Sequence, residues 1–465
     1  MVTSFRLSER GFTLVEAARE RKGWNAQDFK WTTDADVACA TLRRFRARKN
    51  VKSENFINLC EAVGVNWQEA VEQNSNGNGY QKPSFFAYDD FWVGREASVS
   101  KLLDKLNDSC RLLMLVGMTG IGKTALAECL ASRLIEDWLQ DDWSRFLQEN
   151  FEDKGKTPDF LSVAVRWLEK WGEKIAPEET QNIEALISRV VSRLETHRYL
   201  VILDSVENIL QGNEEEGWSE FQDRAWVRFF EKLLALEACE SRVILTSQDT
   251  PGQIEARYRN FWECQCVAGL TASERLALFE KTGLDVAEES GNTPYLTRIG
   301  AAYEGHPLAL RLIAGEIGSN PFYGNVEAYW NRYGKEIEEV EKAIAEAKQG
   351  NLTGEDNWRL HDFNRQLRQG VKKRLEKTFE RLKAELMNGY RLLCEASVYR
   401  CAVQEDFWLT HLQFRGLDEE AQVSALQGLK DRFLVEELLE GNQLMVRQHN
   451  LVRSLALAHL KGWEN

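Results

Sequence analysis

Short apolar runs alternate with amphipathic stretches through the middle of this 465-residue chain. Residues 111–117, 199–203 and 242–247 are continuous apolar runs, which are typical of buried parallel strands. Helical patterns lie between these runs, so the spacing predicts an α/β three-layer domain over residues 88–262. After Leu270 the pattern becomes almost wholly helical.

These changes of pattern divide the chain into five segments. Residues 1–72 predict a small all-α domain, and the polar, Gly- and Asn-rich residues 73–87 predict a linker. The α/β domain over 88–262 is followed by a helical subdomain over 263–368. Residues 369–465 show helical patterns and then short strand candidates, an order that favours a winged-helix subdomain.

The distribution of charge limits the partners that the chain can have. The net charge is −14, which argues against a general polyanion binder. Residues 1–72 hold 12 Lys and Arg against 10 Asp and Glu, a net of +2, so the remaining residues carry −16. Any contact with nucleic acid is therefore expected in this first segment. The sequence opens without an apolar signal core and has no apolar run near the ~20 residues of a membrane span, so we expect a cytoplasmic protein without membrane contacts.

A glycine-rich segment, GMTGIGKT, lies between the first apolar run and a helical pattern. Strand, loop and helix in this order are typical of a phosphate-binding P-loop. Gly117, Gly120 and Gly122 allow the backbone N–H groups to turn toward phosphate oxygens, and the following helix adds its positive end. Lys123 is predicted to neutralise the β- and γ-phosphates, and Thr124 to ligate Mg²⁺. No NKxD guanine-recognition motif is found, so the expected ligand is ADP or ATP with Mg²⁺.

The partner acid of the P-loop is predicted at the end of the second apolar run. Asp204 holds that position, and ligands of open α/β sheets bind at the carboxyl ends of the strands. Its carboxylate is predicted to hold Mg²⁺ through water and to serve the chemistry of phosphoryl transfer. The predicted fold class is therefore multidomain, with a P-loop α/β nucleotide-binding domain, two following subdomains and a small helix-turn-helix-like domain in front.

From residue 88 onward the chain resembles the NB-ARC family of signal-transduction ATPases. The segment FWVGRE resembles the family's adenine-binding motif, which implies nucleotide contacts from Val93, Gly94 and Arg95. The segment GHPLA resembles the family's GxPLA motif, in which the proline, here Pro307, packs against the nucleotide. The segment QHNLVR resembles the MHD motif of the winged helix, and its histidine, here His449, is implied to reach the β-phosphate of ADP.

The resemblance implies a switch with two nucleotide states. ADP would seal the nucleotide domain against the two following subdomains, and ATP would favour an open form that self-oligomerises. A ligand can act in this way only if it contacts the two states differently. An unidentified sensor or effector protein is implied as a partner.

Three positions depart from the family pattern. Ser205 stands where a second acid is expected, with Glu207 two residues further on as a candidate catalytic carboxylate. Gln248, a neutral amide, replaces the basic residue that senses the nucleotide, and Asn450 replaces the aspartate of the MHD motif. A missing general base and a missing γ-phosphate cation each remove a transition-state contact. We therefore expect ATP hydrolysis to be slow or absent, below about one turnover per second.

The N-terminal segment contains a basic helical pattern. ATLRRFRARKN and the following SENFINLCEAVGVNW resemble the recognition helix and next helix of lambda-repressor-like helix-turn-helix domains. Ala38, Leu42 and Phe45 share one helical face, and the polar side chains are predicted to point elsewhere. The candidate DNA-binding residues are Thr41, Arg43, Arg44 and Arg48. The alternative is a signalling or defence scaffold whose N-terminal helices bind a protein partner, and the sequence leaves both functions open.

Overall fold

Four groups of helices and strands follow one another along the chain in the computed structural model. The structure describes residues 4–24, 29–35, 37, 39–46, 48, 51–70, 85–152, 157–176, 179–213, 218–248, 250–254, 256–287, 290–350, 356–399, 402–440 and 443–463. Most of the predicted linker, up to residue 84, lies outside these ranges. Ala38 and the side chain of Arg43 also lie outside the described part.

The N-terminal group contains five short helices and a two-stranded pairing. Its elements are β1 (Ser4–Phe5), α1 (Glu9–Arg21), α2 (Phe29–Asp34), α3 (Cys39–Arg46), β2 (Val51–Lys52), α4 (Ser53–Val63) and α5 (Trp67–Ala70). β1 pairs antiparallel with β2, so the prediction of an all-α unit is wrong in this detail. The fully buried side chains of Trp31, Phe45 and Phe56 fill the centre of the group.

Helix α3 carries the residues that the sequence predicts at a DNA surface. Phe45 is buried, as its helical spacing predicts, but Thr41 is also buried, with 5% of its surface exposed. The outward orientation predicted for Thr41 is therefore wrong, because the buried face of this eight-residue helix is wider than one apolar stripe. Arg44 forms an ion pair with Glu437 near the C-terminus of the chain. Arg48 is exposed.

The second group is an α/β unit around a five-stranded parallel sheet. Its elements are α6 (Glu96–Asn107), β3 (Leu112–Val116), α7 (Lys123–Asp137), β4 (Phe146–Asn150), α8 (Phe160–Lys170), α9 (Ile183–Thr196), β5 (Leu200–Asp204), β6 (Leu210–Asn213), β7 (Trp218–Phe221), α10 (Arg224–Ala235), β8 (Arg242–Ser247) and β9 (Trp262–Cys266). The strand order is β4-β5-β8-β3-β9, with every neighbouring pair parallel, and β6 and β7 form a separate hairpin.

Alternate residues of β3 point into two different hydrophobic cores. Leu113 and Leu115 join the core beneath α6 and α7, whereas Leu112 and Met114 join the core beneath α8, α9 and α10. Because both faces of the sheet are covered, its central strands need continuous apolar sequences. The predicted three-layer α/β domain is thereby confirmed. Its predicted end at residue 262 is too early, because the edge strand β9 begins at that residue.

The third group is wholly helical in the described residues. It contains α11 (Ala272–Lys281), α12 (Thr293–Ala302), α13 (Pro307–Gly318), α14 (Val326–Gly350) and α15 (Asp356–Glu385). Helix α15 runs through the predicted boundary at residue 368, so the third and fourth groups share one continuous helix.

The fourth group combines helices with a small antiparallel sheet. It contains α16 (Met387–Glu395), β10 (Val403–Gln404), α17 (Glu405–Phe414), α18 (Glu419–Asp431), β11 (Glu436–Glu440), β12 (Gln443–Arg447) and α19 (Asn450–Lys461). The strand order is β10-β12-β11, so the last two strands form a hairpin that follows three helices. Across the described residues of the chain, none of the helices has both the length and the apolar character of a membrane span.

A buried ion-pair network joins α13 to α15. Glu316 on α13 accepts hydrogen bonds from Arg374 and Arg381 and from the hydroxyl of Thr378, the last at 2.7 Å. Glu316 and Arg374 are 6% and 4% exposed, so neither charge reaches bulk solvent. Removing one member of such a pair leaves the other buried and uncompensated.

We expect Glu316→Gln to lower the free energy of unfolding by about 3 kcal/mol or more, because Arg374 would keep its charge without its partner. Urea unfolding followed by tryptophan fluorescence measures this change. Glu327→Gln, on the exposed first turn of α14, is the matched control and should stay within about 0.5 kcal/mol of the parent. Equal losses in the two variants would contradict a structural role for the network.

Candidate functional site

The predicted phosphate loop connects the central strand β3 to α7. Gly120 and Gly122 have φ angles of 79° and 94°, which favour glycine over any residue with a side chain. A Cβ atom at Gly120 would also lie 2.8 Å from Cε1 of His306, closer than real contacts allow. The predicted succession of strand, glycine-rich loop and helix is therefore confirmed.

Lys123 places its charge inside the loop. Its Nζ donates to the carbonyl oxygens of Gly117 at 2.8 Å and Met118 at 3.1 Å, and the side chain is buried. The N–H of Gly117 in turn donates to the carbonyl of Ser247 at the end of β8. These contacts fix the ammonium at the positive end of α7, where an anionic group would be stabilised.

The two residues predicted to hold Mg²⁺ lie together. Asp204, the last residue of β5, accepts from the hydroxyl of Thr124 at 2.9 Å and from that of Thr246 at 2.6 Å. The N–H of Ser205 donates to the same Thr246 oxygen at 3.0 Å, which fixes the strand end. A hydroxyl and a carboxylate oxygen at the mouth of a phosphate loop fit the hard oxygen ligands that Mg²⁺ prefers.

Glu207 and Gln248 lie beside this pair and bind each other. Gln248 donates through Nε2 to Oε1 of Glu207 at 2.9 Å and through its backbone N–H to Oε2 at 3.3 Å. Glu207 lines the cleft, whereas Gln248 lies behind it and is not one of the lining residues. The structure therefore does not bring Gln248, predicted as a nucleotide contact, to the cleft wall.

Two carboxylates at this site were not predicted from the sequence. Glu152 follows β4, lines the cleft and accepts from the hydroxyl of Ser205 at 3.3 Å. Burial raises its pKa to about 7, and the charges of Asp204 and Glu207 act in the same direction. Glu128 on α7 is buried and accepts from the N–H groups of Ala87 and Tyr88, and burial raises its pKa to about 7 as well. The mixed polar sequence of β4 gave no strand signal, so nothing placed Glu152 at the edge of the sheet.

The segment before α6 forms one wall of the cleft. Val93 and Arg95 line it, with Gly94 between them. The Arg95 guanidinium donates to the carbonyl of Ile121 in the phosphate loop at 2.7 Å, and its backbone N–H donates to Glu274 on α11 at 2.5 Å. The predicted adenine-binding segment thus connects the phosphate loop to the third group of elements.

The third group covers the cleft with the beginning of α13. Pro307, Leu308 and Arg311 line it. His306 caps this helix, since its Nδ1 accepts from the N–H of Ala309 at 3.3 Å, and its Nε2 lies 2.9 Å from the carbonyl of Thr119 in the phosphate loop. Because Nδ1 accepts, the ring proton lies on Nε2 and is donated to Thr119.

Burial keeps His306 neutral. The side chain is fully buried, and this burial lowers its pKa to about 4, with the nearby charges of His449 and Lys123 adding to the effect. A neutral ring is the form that can both accept at Nδ1 and donate at Nε2.

The fourth group supplies the last wall of the cleft. Its lining residues are Phe433, Glu436, Arg447, Gln448 and His449. His449 caps α19, since its Nδ1 accepts from the N–H of Leu451 at 3.2 Å. Burial lowers the pKa of His449, and the charges of Arg447 and Lys123 reinforce this shift while Glu436 opposes it.

Contacts between groups join the walls of the cleft. The rings of Phe91 and Phe433 meet edge to face with centroids 4.9 Å apart. The guanidinium of Arg311 lies over both rings, at 5.0 Å and 5.4 Å, and pairs with Asp89 at 2.8 Å. The cleft holds about 1230 Å³ of space, with open solvent included.

Comparison with known proteins supports the reading of the second group. A family profile described as an AAA ATPase domain matches residues 92–244. An uncharacterized WD repeat-containing protein of Nostoc sp. is 25% identical over 358 residues, 68% of this chain and 28% of the relative. A disease resistance-like protein of Arabidopsis thaliana, CSA1, is 25% identical over 251 residues, 52% of this chain and 19% of the relative. The chain thus spans less than a third of the length of these relatives.

Among solved structures, the Aeropyrum pernix ORC1 protein in complex with DNA overlaps 80% of this chain and 94% of its own, with 16% identity and a TM-score of 0.34. The profile match and the strand order together identify residues 92–244 as an AAA-type P-loop ATPase domain. The resemblance predicted from the motifs is confirmed at this level and in the similarity to plant disease resistance-like proteins.

The buried, neutral His306 predicts a specific sensitivity to acid. Its pKa is about 4 in the folded protein and 6.5 in the unfolded chain, so the stability it contributes is present above pH 6.5 and is lost as the pH falls toward 4. The full loss corresponds to roughly 3 kcal/mol, at about 1.4 kcal/mol per pKa unit. His306→Asn keeps a helix-capping side chain but does not titrate.

We therefore expect the difference in unfolding free energy between parent and His306→Asn to shift in favour of the variant between pH 6.5 and pH 4. Denaturant unfolding across this range measures it. Parallel pH curves for the two proteins would contradict the assignment of a neutral buried imidazole at this position.

Proposed function

We propose that this chain is a switch controlled by an adenine nucleotide, held closed by ADP and opened by ATP. The observation that carries the proposal is a single cleft whose walls come from three groups of elements. The P-loop supplies the phosphate site. Helix α13 covers the cleft, and the junction of β12 and α19 forms the far wall. A ligand in this cleft would touch all three groups at once.

The placement of the nucleotide follows from the chemistry of the walls. Its phosphates would lie at Gly120, Gly122 and Lys123, with Mg²⁺ between Thr124 and Asp204. Val93 and Pro307 offer apolar contacts for the base, in the segments that resemble family motifs. P-loop ATPases bind ATP or ADP with Mg²⁺, and the donor set of this loop fits both.

His449 is the residue that would make the ligand a bridge. It lies in the fourth group and lines the same cleft as Lys123, whose charge is close enough to lower the pKa of His449. A diphosphate held between Lys123 and His449 binds the closed form and not an open one. This difference in contacts is what allows a ligand to set the equilibrium.

We interpret the third and fourth groups as the helical and winged-helix subdomains of an NB-ARC-type switch. Three helices followed by the β11–β12 hairpin support a winged helix, and the GHPLA segment at the start of α13 supports the helical subdomain. In the ATP state the exposed walls would allow self-association. Hydrolysis would be slow, because the sensor position carries Gln248, whose amide is engaged by Glu207.

We propose that the N-terminal group is the output module and that its target is DNA. The order of α3 and α4 and the arginines on α3 support a helix-turn-helix reading. In the closed form one of these arginines, Arg44, is engaged in an ion pair with Glu437. The alternative output, a protein partner in a signalling or defence scaffold, uses the same module.

Lys123→Ala should weaken ADP binding roughly 10- to 150-fold, because it removes a charge-assisted contact worth about 1.5–3 kcal/mol. Titration calorimetry on the nucleotide-free full chain measures the affinity. Lys101→Ala, on the exposed face of α6, is the control and should bind like the parent. A Lys123→Ala variant that binds ADP as tightly as the parent would contradict the proposed site.

The output is tested by mobility shift of genomic DNA fragments at low salt, with ADP or with ATP and Mg²⁺. We expect retardation in ATP and much less in ADP, where Glu437 holds Arg44. Arg43→Glu with Arg44→Glu should abolish retardation, whereas Arg21→Glu with Lys30→Glu changes the charge equally at exposed positions and should retain it. No retardation in either nucleotide would leave the protein partner as the output.

A further inference from the structure

Three carboxylates lie at the carboxyl edge of the sheet beside the phosphate loop, and they differ in how they are engaged. Asp204 accepts hydrogen bonds from Thr124 and Thr246, so its carboxylate is fixed toward the metal position. Glu207 has both oxygens bound by Gln248, at 2.9 Å and 3.3 Å. Glu207 therefore cannot take up a proton without losing one of these contacts, whereas both hydrogen bonds of Asp204 reach its Oδ1 and place the residue at the metal position.

Glu152 is the carboxylate of the three that is neither placed at the metal position nor bound at both oxygens. Its Oε1 accepts from the Ser205 hydroxyl at 3.3 Å, a long hydrogen bond, and its Oε2 has no hydrogen-bond partner among the described residues. The residue nevertheless lines the cleft together with Lys123 and Asp204.

The backbone holds Glu152 in a fixed place relative to the metal position. Strand β4 pairs with β5 so that Asn150 is the register partner of Asp204. The N–H of Phe151 then donates to the carbonyl of Asp204 at 3.0 Å, which extends the pairing by one residue. Glu152 follows directly, so its position is set by the same ladder that positions Asp204.

Among the residues that the structure describes, no cation forms an ion pair with Glu152. Arg447 of the fourth group lines the cleft too, but its guanidinium donates to Glu436 at 2.7 Å and lies 4.4 Å from the ring centroid of Phe86. Within the described part of the chain, the carboxylate of Glu152 therefore contributes no ion pair to the fold, unlike Glu149 on β4, which binds Arg166 and Trp167.

We propose that Glu152 is the general base for ATP hydrolysis and replaces the acid that is missing after Asp204. This role rests on the proposed nucleotide site. Oε2 takes one proton from a water molecule while the water oxygen bonds to the γ-phosphorus. The bond from that phosphorus to the bridging oxygen breaks, and its electron pair leaves on ADP, so the products are ADP and inorganic phosphate. Thr124 and Asp204 would hold Mg²⁺, which would supply charge stabilisation for the leaving group when bound.

The test uses the full chain and the variant Glu152→Gln, which keeps the size and the hydrogen bond from Ser205 but cannot accept the proton. We expect ATP and ADP affinities within about threefold of the parent, and hydrolysis reduced at least about 100-fold, the usual contribution of a general base. Single-turnover hydrolysis with excess protein separates this step from product release. Nucleotide recovered after denaturation should be ATP from the variant and ADP from the parent.

Two control variants test whether the loss of hydrolysis is specific to Glu152. Glu207→Gln should lose less than tenfold in hydrolysis, and Glu220→Gln, exposed on β7, should be unchanged. A large loss in Glu207→Gln with normal hydrolysis in Glu152→Gln would overturn the assignment. A parent that binds ATP but releases no phosphate over hours would overturn it too, while leaving the switch intact. Loss of nucleotide binding in the parent itself would instead remove the proposed function.

Discussion

The contact between the phosphate loop and the start of α13 is the constraint on which the rest of the structure depends. Gly120 has no side chain, and the imidazole of His306 occupies the space beside it. His306 donates to the carbonyl of Thr119, and the N–H of Leu308 approaches the carbonyl of Gly120 at 3.4 Å. The loop is therefore part of an interface between two groups, and a change in its shape must shift α13.

Helix α13 extends this constraint to the other end of the chain. At Gly315 an added Cβ would lie 2.7 Å from Cα of Arg432, so the helix touches the backbone of the fourth group directly. At Glu316 it holds Arg374 and Arg381 of α15 through buried ion pairs. One rigid helix thus contacts the phosphate loop, the continuous helix α15 and the fourth group. Coupling between distant sites needs such a shared element with a defined position.

The sequence was sufficient for the parts of the site that depend on local pattern. The buried strands β3, β5 and β8 are continuous apolar runs, and the phosphate loop with Asp204 follows from them. Strands β4 and β9 have mixed sequences, FLQEN and WECQC, because they lie toward the edges of the sheet, where burial is incomplete. The pattern therefore does not predict β4, and Glu152, which follows it, is not predicted either.

Interactions between distant segments were beyond local pattern. His306 occupies the variable position of the GxPLA motif, so nothing in the sequence connected its ring to Thr119. The position of Gln248 after β8 predicts a nucleotide contact, but its amide donates to Glu207. A single helical stripe predicts Thr41 on the outer face of α3, whereas the structure buries it. Each of these outcomes is set by tertiary packing, which periodicity does not report.

The described contacts between the cleft walls are individually weak. Their energies therefore decide whether a bound ligand can control the opening of the cleft. The edge-to-face pair of Phe91 and Phe433 contributes about 0.5–1.5 kcal/mol, and the cation–π contacts of Arg311 about 0.5–1 kcal/mol each. Moving a two-state equilibrium from 1:99 to 99:1 takes roughly 5.5 kcal/mol of differential binding. A charge-assisted contact with His449, made in the closed form alone, would supply about 1.5–3 kcal/mol of this difference, because Lys123 lies in the phosphate loop and would hold the nucleotide in both forms. The nucleotide would then add to the contacts between the groups, and a partner that displaced Arg311 or Phe433 would have to work against the bound ligand and not only against the protein.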